Sequence, residues 1–158
     1  MVIIDGTNLL WTIRDAGEAL QVTNEEELCQ MLDGYLITSG QDGVIVFDGA
    51  GPADRTAFAA LHRLDVVFAG FNRDADTVIE GKVLTDSAPK RLIIVSSDHR
   101  LRDQAADHKA AVLRSEEFWE KVQTHRRSKL KRKEPSQKRE GLTDGETDKW
   151  MDLFGLGE

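Results

Sequence analysis

The sequence predicts an α/β fold, a parallel sheet of about five strands with helices on both faces. Three observations carry that expectation. Five short runs, near 1–5, 43–48, 64–70, 91–96 and 110–114, are β-branched and apolar almost throughout, as strands covered on both faces must be. Helical patterns fill the intervals, and strand–helix alternation implies parallel pairing with right-handed crossovers. Four of the runs also lead into a carboxylate or amide, which in an open parallel sheet gathers polar groups at the edge where ligands bind.

Taken in order, Val2-Ile3-Ile4 runs into Asp5-Gly6-Thr7-Asn8, with Asn8 in the first turn of the following helix. Residues 24–38 form the next helix, capped by Thr23 or Asn24, with Glu25-Glu26-Glu27 where the helix dipole favours acids. Leu28, Met31, Leu32 and Tyr35 supply its apolar stripe. Val44-Ile45-Val46-Phe47 leads to Asp48-Gly49, and the linker 49–63 holds a short helical pattern at 57–61. Val66-Val67-Phe68 leads to Asn72-Arg73-Asp74-Ala75-Asp76 and a helix over 75–86, with Val78, Ile79, Val83 and Leu84 facing inward. Leu92-Ile93-Ile94-Val95 leads to Ser96-Ser97-Asp98 and a helix over 97–108. Ala111-Val112-Leu113 precedes a helix over 115–127 capped by Ser115.

The chain of 158 residues fits one domain plus a tail, at 40% hydrophobic and 31% charged residues. No apolar stretch approaches the ~20 residues that span a bilayer, and the N-terminus lacks a signal pattern, so a cytoplasmic location is expected. The single Cys29, flanked by Leu28 and Met31, reads as a core thiol. The net charge of −7 is unevenly spread: −9 over residues 1–124, +7 over 125–139 and −5 over 140–158. The expected organisation is a domain over 1–124, a basic mobile linker over 125–142, and a short amphipathic segment over 143–158. That last segment carries Trp150, Met151, Leu153 and Phe154, and suits docking on its own domain, on a second copy or on a partner.

Each acid has a plainer explanation when taken alone. Asp5-Gly6 and Ser96-Ser97-Asp98 are also helix-capping sequences, and Asp48-Gly49 is ordinary turn chemistry. Asp74 suits an N-cap, which leaves Asp76 as the site acid, with Glu80 one turn further on. Their coincidence is what points to function. Two carboxylates ~4 Å apart repel by ~4 kcal/mol at an effective dielectric constant near 20, and a shared proton or a cation relieves that cost. Acids without clustered His or Cys suit a hard divalent cation, Mg²⁺ or Mn²⁺, and hence phosphate chemistry. His62, His108 and His125 have no metal-spacing partners. No G-x-G-x-x-G, G-x-x-x-x-G-K-[ST] or G-x-S-x-G motif is present, which disfavours dinucleotide, P-loop and α/β-hydrolase chemistry. The Asp-Gly-Thr turn is not a haloacid-dehalogenase signature, because Ile3 stands where the nucleophilic Asp belongs.

At these residues the chain resembles the NYN domain of the PIN-like nuclease superfamily, most closely its YacP-like branch. The resemblance rests on Asp5-Gly6-x-Asn8, Phe47-Asp48, Ala75-Asp76 with Ile79-Glu80, Ser97-Asp98, and the closing Ala111–Ser115 stretch with its acidic helix; it covers about residues 1–122. It implies a PIN-like three-layer fold with strand order 3-2-1-4-5, and a metal-dependent endoribonuclease activity, in some YacP-like proteins on ribosome-bound mRNA. The implied metal ligands are Asp5, Asp76 and Asp98, with Asp48 as a fourth candidate, and Asn8 orienting a ligand or phosphate. Ser96, Arg73 and Arg100 are candidate substrate contacts, with Arg14 and the 125–139 block as further backbone-holding cations. The competing reading is a non-catalytic RNA- or ribosome-binding module with a vestigial acidic site, and a weaker third is a phosphatase or DNA-flap nuclease.

Overall fold

The computed structural model describes residues 1–17, 22 and 24–133. Its elements are β1 (Val2–Asp5), α1 (Gly6–Asp15), α2 (Glu25–Ser39), β2 (Gly43–Phe47), α3 (Thr56–Ala59), β3 (Leu64–Phe68), α4 (Ala75–Thr85), β4 (Ile93–Val95), α5 (His99–Asp107), β5 (Ala111–Leu113) and α6 (Ser115–Lys133). The five strands form one sheet of order β3-β2-β1-β4-β5. All four pairings are parallel. Residues 1–123 form one compact unit, and the second, beginning at Thr124, is described only over the end of α6.

Alternation along the central strands builds two cores. Val2, Ile4, Ile45, Phe47 and Val95 pack with Leu9, Ile13, Leu28, Leu32 and Phe118, so α1, α2 and the start of α6 cover one face. Ile3, Val44, Val46 and Ile94 pack instead with Ile79, Val83, Leu101 and Ala105, so α4 and α5 cover the other. Three layers result. Cys29 lies fully buried in the first core, and burial pushes its thiol up to about 12, so it is inert packing.

The helix over 75–86 follows its predicted bounds closely, but Leu84 does not face inward. It is 62% exposed, because Ala75, Ile79 and Val83 mark the buried stripe and Leu84 lies about 100° further round the helix than Val83. Asn24 caps α2 by accepting the Glu27 N–H at 2.9 Å. Ser115 does not act as the expected cap: its hydroxyl donates to Asn8 Oδ1 instead. The last helix runs on to Lys133 rather than stopping near 127. Lys and Arg are good helix formers, and nothing in the basic run breaks the backbone pattern. Residues 134–142 of the expected linker and the whole docking segment 143–158 lie outside the described residues.

One buried acid holds the architecture rather than the site. Asp33 of α2 is 5% exposed and accepts the backbone N–H groups of His62, Arg63 and Leu64, at 2.7–3.2 Å. Burial alone would raise its pKa, but these donors outweigh it and hold the carboxylate ionised below its ordinary range. The entry into β3 is thereby tied to α2. Sequence patterning missed Asp33 because a lone acid in a helix reads as a solvated position, and its partners lie some thirty residues on.

Candidate active site

The sheet order makes β1 and β4 neighbours, with their successors α1 and α5 leaving in different layers, so Asp5 stands at the switch point where a crevice opens. Asp5 ends β1 and caps α1. Its Oδ1 accepts the Asn8 N–H at 3.2 Å, and its Oδ2 accepts the Ser96 hydroxyl at 3.1 Å. Gly6 allows the turn between them. A Cβ there would meet Phe47 Cε1 at 2.5 Å, so only glycine brings the start of α1 this close to β2. Capping and site roles, alternatives in the sequence, fall on the same carboxylate.

Asp5 is 5% exposed, and burial foremost pushes its pKa up to about 6. The Asn8 N–H and Ser96 hydroxyl oppose the rise, while repulsion from Asp76 and Asp48 adds to it. Asp76, in the first turn of α4, is also raised, by burial first and then by Asp98, Asp74 and Asp48, with Arg100 opposing. Asp98 caps α5 through the Leu101 N–H at 2.9 Å. Asp74 caps α4, as its position in the sequence suggests, through the Thr77 N–H at 2.8 Å. Asp48 holds the start of α4: its Oδ1 accepts the Ala75 N–H at 2.7 Å, while its own N–H donates to Thr7 Oγ1 at 2.9 Å.

Asp5, Asp48, Asp76 and Asp98 therefore border one electronegative space at the C-terminal edge of the sheet. They are linked in pairs rather than as a cage: among the described residues, no three acidic, histidine or cysteine side chains converge as a metal-binding group. The acids thus form an open rim, Asp5 repelled by Asp76 and Asp48, and Asp76 by Asp98 and Asp48. An all-oxygen, acidic donor set fits a hard divalent cation, which would relieve the repulsion of Asp5 by Asp76 and Asp48, a smaller contribution to its raised pKa than burial.

Ser96, a candidate substrate contact, and Asn8, a candidate for orienting a ligand, both hold the frame of the site. Ser96 has no exposed surface. Its hydroxyl donates to Asp5 and accepts the Asp98 N–H at 3.1 Å, bridging β1 to the turn that carries Asp98. Asn8 Oδ1 accepts both the Ser97 N–H at 2.9 Å and the Ser115 hydroxyl at 2.7 Å, so its carbonyl end locks the β4–α5 turn to the start of α6. Arg100 reaches Glu80 Oε1 at 3.4 Å, on the side of the cluster nearest Asp76. Arg73 lies exposed in the β3–α4 loop. Beside Asp48 opens a cavity of about 430 Å³ lined by Glu25, Glu26, Asp54, Phe58 and Phe68, among others. No described helix is long and apolar enough to cross a membrane.

Known structures share this architecture. The crystal structure of Rae1 (YacP) from Bacillus subtilis superposes with a TM-score of 0.68 at 19% identity, covering 98% of this chain and 92% of that one. A single-residue variant of the same protein matches with a TM-score of 0.65 at 22% identity, covering 83% and 79% of the two chains. At that identity the likeness establishes the fold alone. No curated protein matches the sequence. The family model of the YacP-like NYN domain, however, matches residues 2–153, nearly the whole chain. The three-layer fold, the strand order and this match agree, and the chain belongs to the YacP-like NYN domain family, whose domains are of the RNA-acting, ribonuclease type.

Proposed function

We propose that the protein is a metal-dependent endoribonuclease that hydrolyses RNA phosphodiester bonds, with ribosome-associated mRNA in the cytoplasm as its setting. The observation that carries this reading is that Ser96 ties Asp5 to the turn bearing Asp98 at the sheet edge, with Asp76 and Asp48 close enough to repel Asp5. Family membership supports the reaction class, and the ribosomal setting rests on the resemblance drawn from the sequence. Asp5, Asp76 and Asp98 would hold Mg²⁺ or Mn²⁺, with Asp48 as a further ligand. When bound, such an ion lowers the pKa of a coordinated water and offsets charge building on the phosphodiester.

In the net reaction the oxygen of water bonds to phosphorus, one P–O ester bond breaks, and the departing oxygen takes up a proton. The protein's own residues prepare that event. Asp5 gives one lone pair to each of its two donors and keeps the rest for a ligand. Ser96 fixes Asp5 relative to Asp98, and Asp48 anchors the turn that carries Asp76. Asn8 immobilises the β4–α5 turn. Arg73, Arg100 and the 125–139 block would hold the RNA backbone, largely without base preference.

The test is cleavage of RNA with Mn²⁺ by the wild type, Asp5→Asn and Asp98→Asn. Both substitutions keep a carbonyl oxygen for the helix cap, so loss of activity reports the charge rather than misfolding. Each is expected to lose at least about 100-fold, the scale of a displaced electrostatic group in an active site. Equal activity in all three would remove the assignment. One observation favours a second reading, a non-catalytic RNA- or ribosome-binding module: the acids do not stand as a preformed cage. RNA binding by a wild type that cuts no strand with either metal would support it.

A further inference from the structure

Phe71 is 92% exposed, in a fold that buries Phe47 to 2% and Phe118 to 3%. It stands in the β3–α4 loop with Asn72 and Arg73, both exposed. The loop is held at each end by the same turn. The Gly70 N–H donates to Gly49 O at 2.8 Å, and the Ala75 N–H donates to Asp48 Oδ1 at 2.7 Å. Asp74 then fixes the helix start through the Thr77 N–H and hydroxyl. Gly70 sits at φ +87°, where a side chain would be strained, so the departure of Phe71 from the strand is built into the backbone. An exposed aromatic and an exposed cation therefore share a short loop clamped to the acids of the site. Phe71 is five residues from Asp76, within roughly 17 Å even for a fully extended chain.

We propose that Phe71 and Arg73 form a nucleotide-binding rim, in which the Phe71 ring stacks on an unpaired base beside the scissile phosphate and Arg73 contacts the neighbouring phosphate. The inference rests on the nuclease reading above and names how the strand is held. Base–aromatic stacking needs one accessible ring and tolerates any base. A protein partner would need about 800 Å² of matching surface, whereas Phe71 is flanked by polar and charged neighbours. The cavity beside Asp48 carries Glu25, Glu26 and Asp54, which repel a polyanion, while the cations closest in the chain to Asp76 and Asp98 are Arg73 and Arg100. A loop already ordered by its clamps loses little entropy when a base lands on it.

The experiment measures, by fluorescence anisotropy, binding of a labelled single-stranded oligoadenylate and of an equal-length strand with abasic riboses, in the Asp98→Asn background. Phe71→Ala is expected to weaken oligoadenylate binding about tenfold and to leave abasic-strand binding unchanged. Phe71→Trp should retain affinity, with its added indole emission quenched by oligoadenylate alone. Arg73→Gln should weaken both strands alike. Equal oligoadenylate binding with and without Phe71→Ala, or no base-dependent quenching, would overturn the rim. If the otherwise wild-type protein still cuts RNA, the nuclease reading stands apart from that failure; if it neither binds nor cuts any strand, both fall.

Discussion

Asp5 is held where burial disfavours its charge. Its pKa near 6 means that, between about pH 4 and 6, the folded chain keeps a proton the unfolded chain has released. Stability from the protonated acid is therefore complete below pH 4 and is lost as pH rises through 6, a cost of about 3 kcal/mol at neutral pH. Asp5→Asn removes that cost while keeping the carbonyl that caps α1. In EDTA at pH 7 the variant should melt about 5 °C or more above the wild type, with the gap closing by pH 4. Mn²⁺ should raise the Tm of the wild type and leave the variant unmoved. Thermal scans at both pH values check this, and a gap that widened toward acid would contradict the sign. At this scale the sequence was readable where position carried meaning: Asp5 and Asp98 follow apolar strands, and Asp76 opens a helix after one. Asp33 and Phe71 were not readable. The partners of Asp33 lie far along the chain, and nothing local tells a projecting loop aromatic from a packed one.

Among the elements, the start of α1 does the joining. Asn8 Oδ1 collects a donor from the β4–α5 turn and another from the first residue of α6, 107 positions away. Asn8→Ala removes that acceptor and leaves the half-buried Ser97 N–H unmet, at a cost of about 1–3 kcal/mol. Ser115→Ala removes only one donor and should cost less. The two substitutions share a contact, so a double-mutant cycle followed by urea unfolding should show a coupling of about 1 kcal/mol. Additive losses would mean the Asn8–Ser115 bond contributes nothing. Helix and strand positions were largely legible because caps and periodicity are local signals: α2 begins one residue after the Asn24 cap, and α4 begins directly after Asp74. The length of α6 was not, since the charge run that signals a solvated tail is equally compatible with helix. Nor was the role of Ser115, whose partner is invisible to any local pattern.

On the scale of the whole molecule, the difficulty is charge. The first 124 residues carry −9 and must meet a polyanion, so affinity for RNA has to come from bound cations and from local basic surface. The described end of α6 supplies such a surface. Arg126, Lys129 and Lys133 are exposed and spaced at i, i+3 and i+7, one stripe of a helix. Each phosphate contact on a single strand contributes about 0.7 to the slope of log affinity against log salt. Replacing all three by Gln should therefore weaken binding of a single-stranded oligoribonucleotide at low salt and flatten that slope by about 2. Titrations across a range of salt concentrations measure both quantities. The substitutions lie on solvent-exposed positions of good helix formers, so the Tm should hardly change. Unaltered affinity and slope would place RNA recognition on residues outside this stripe.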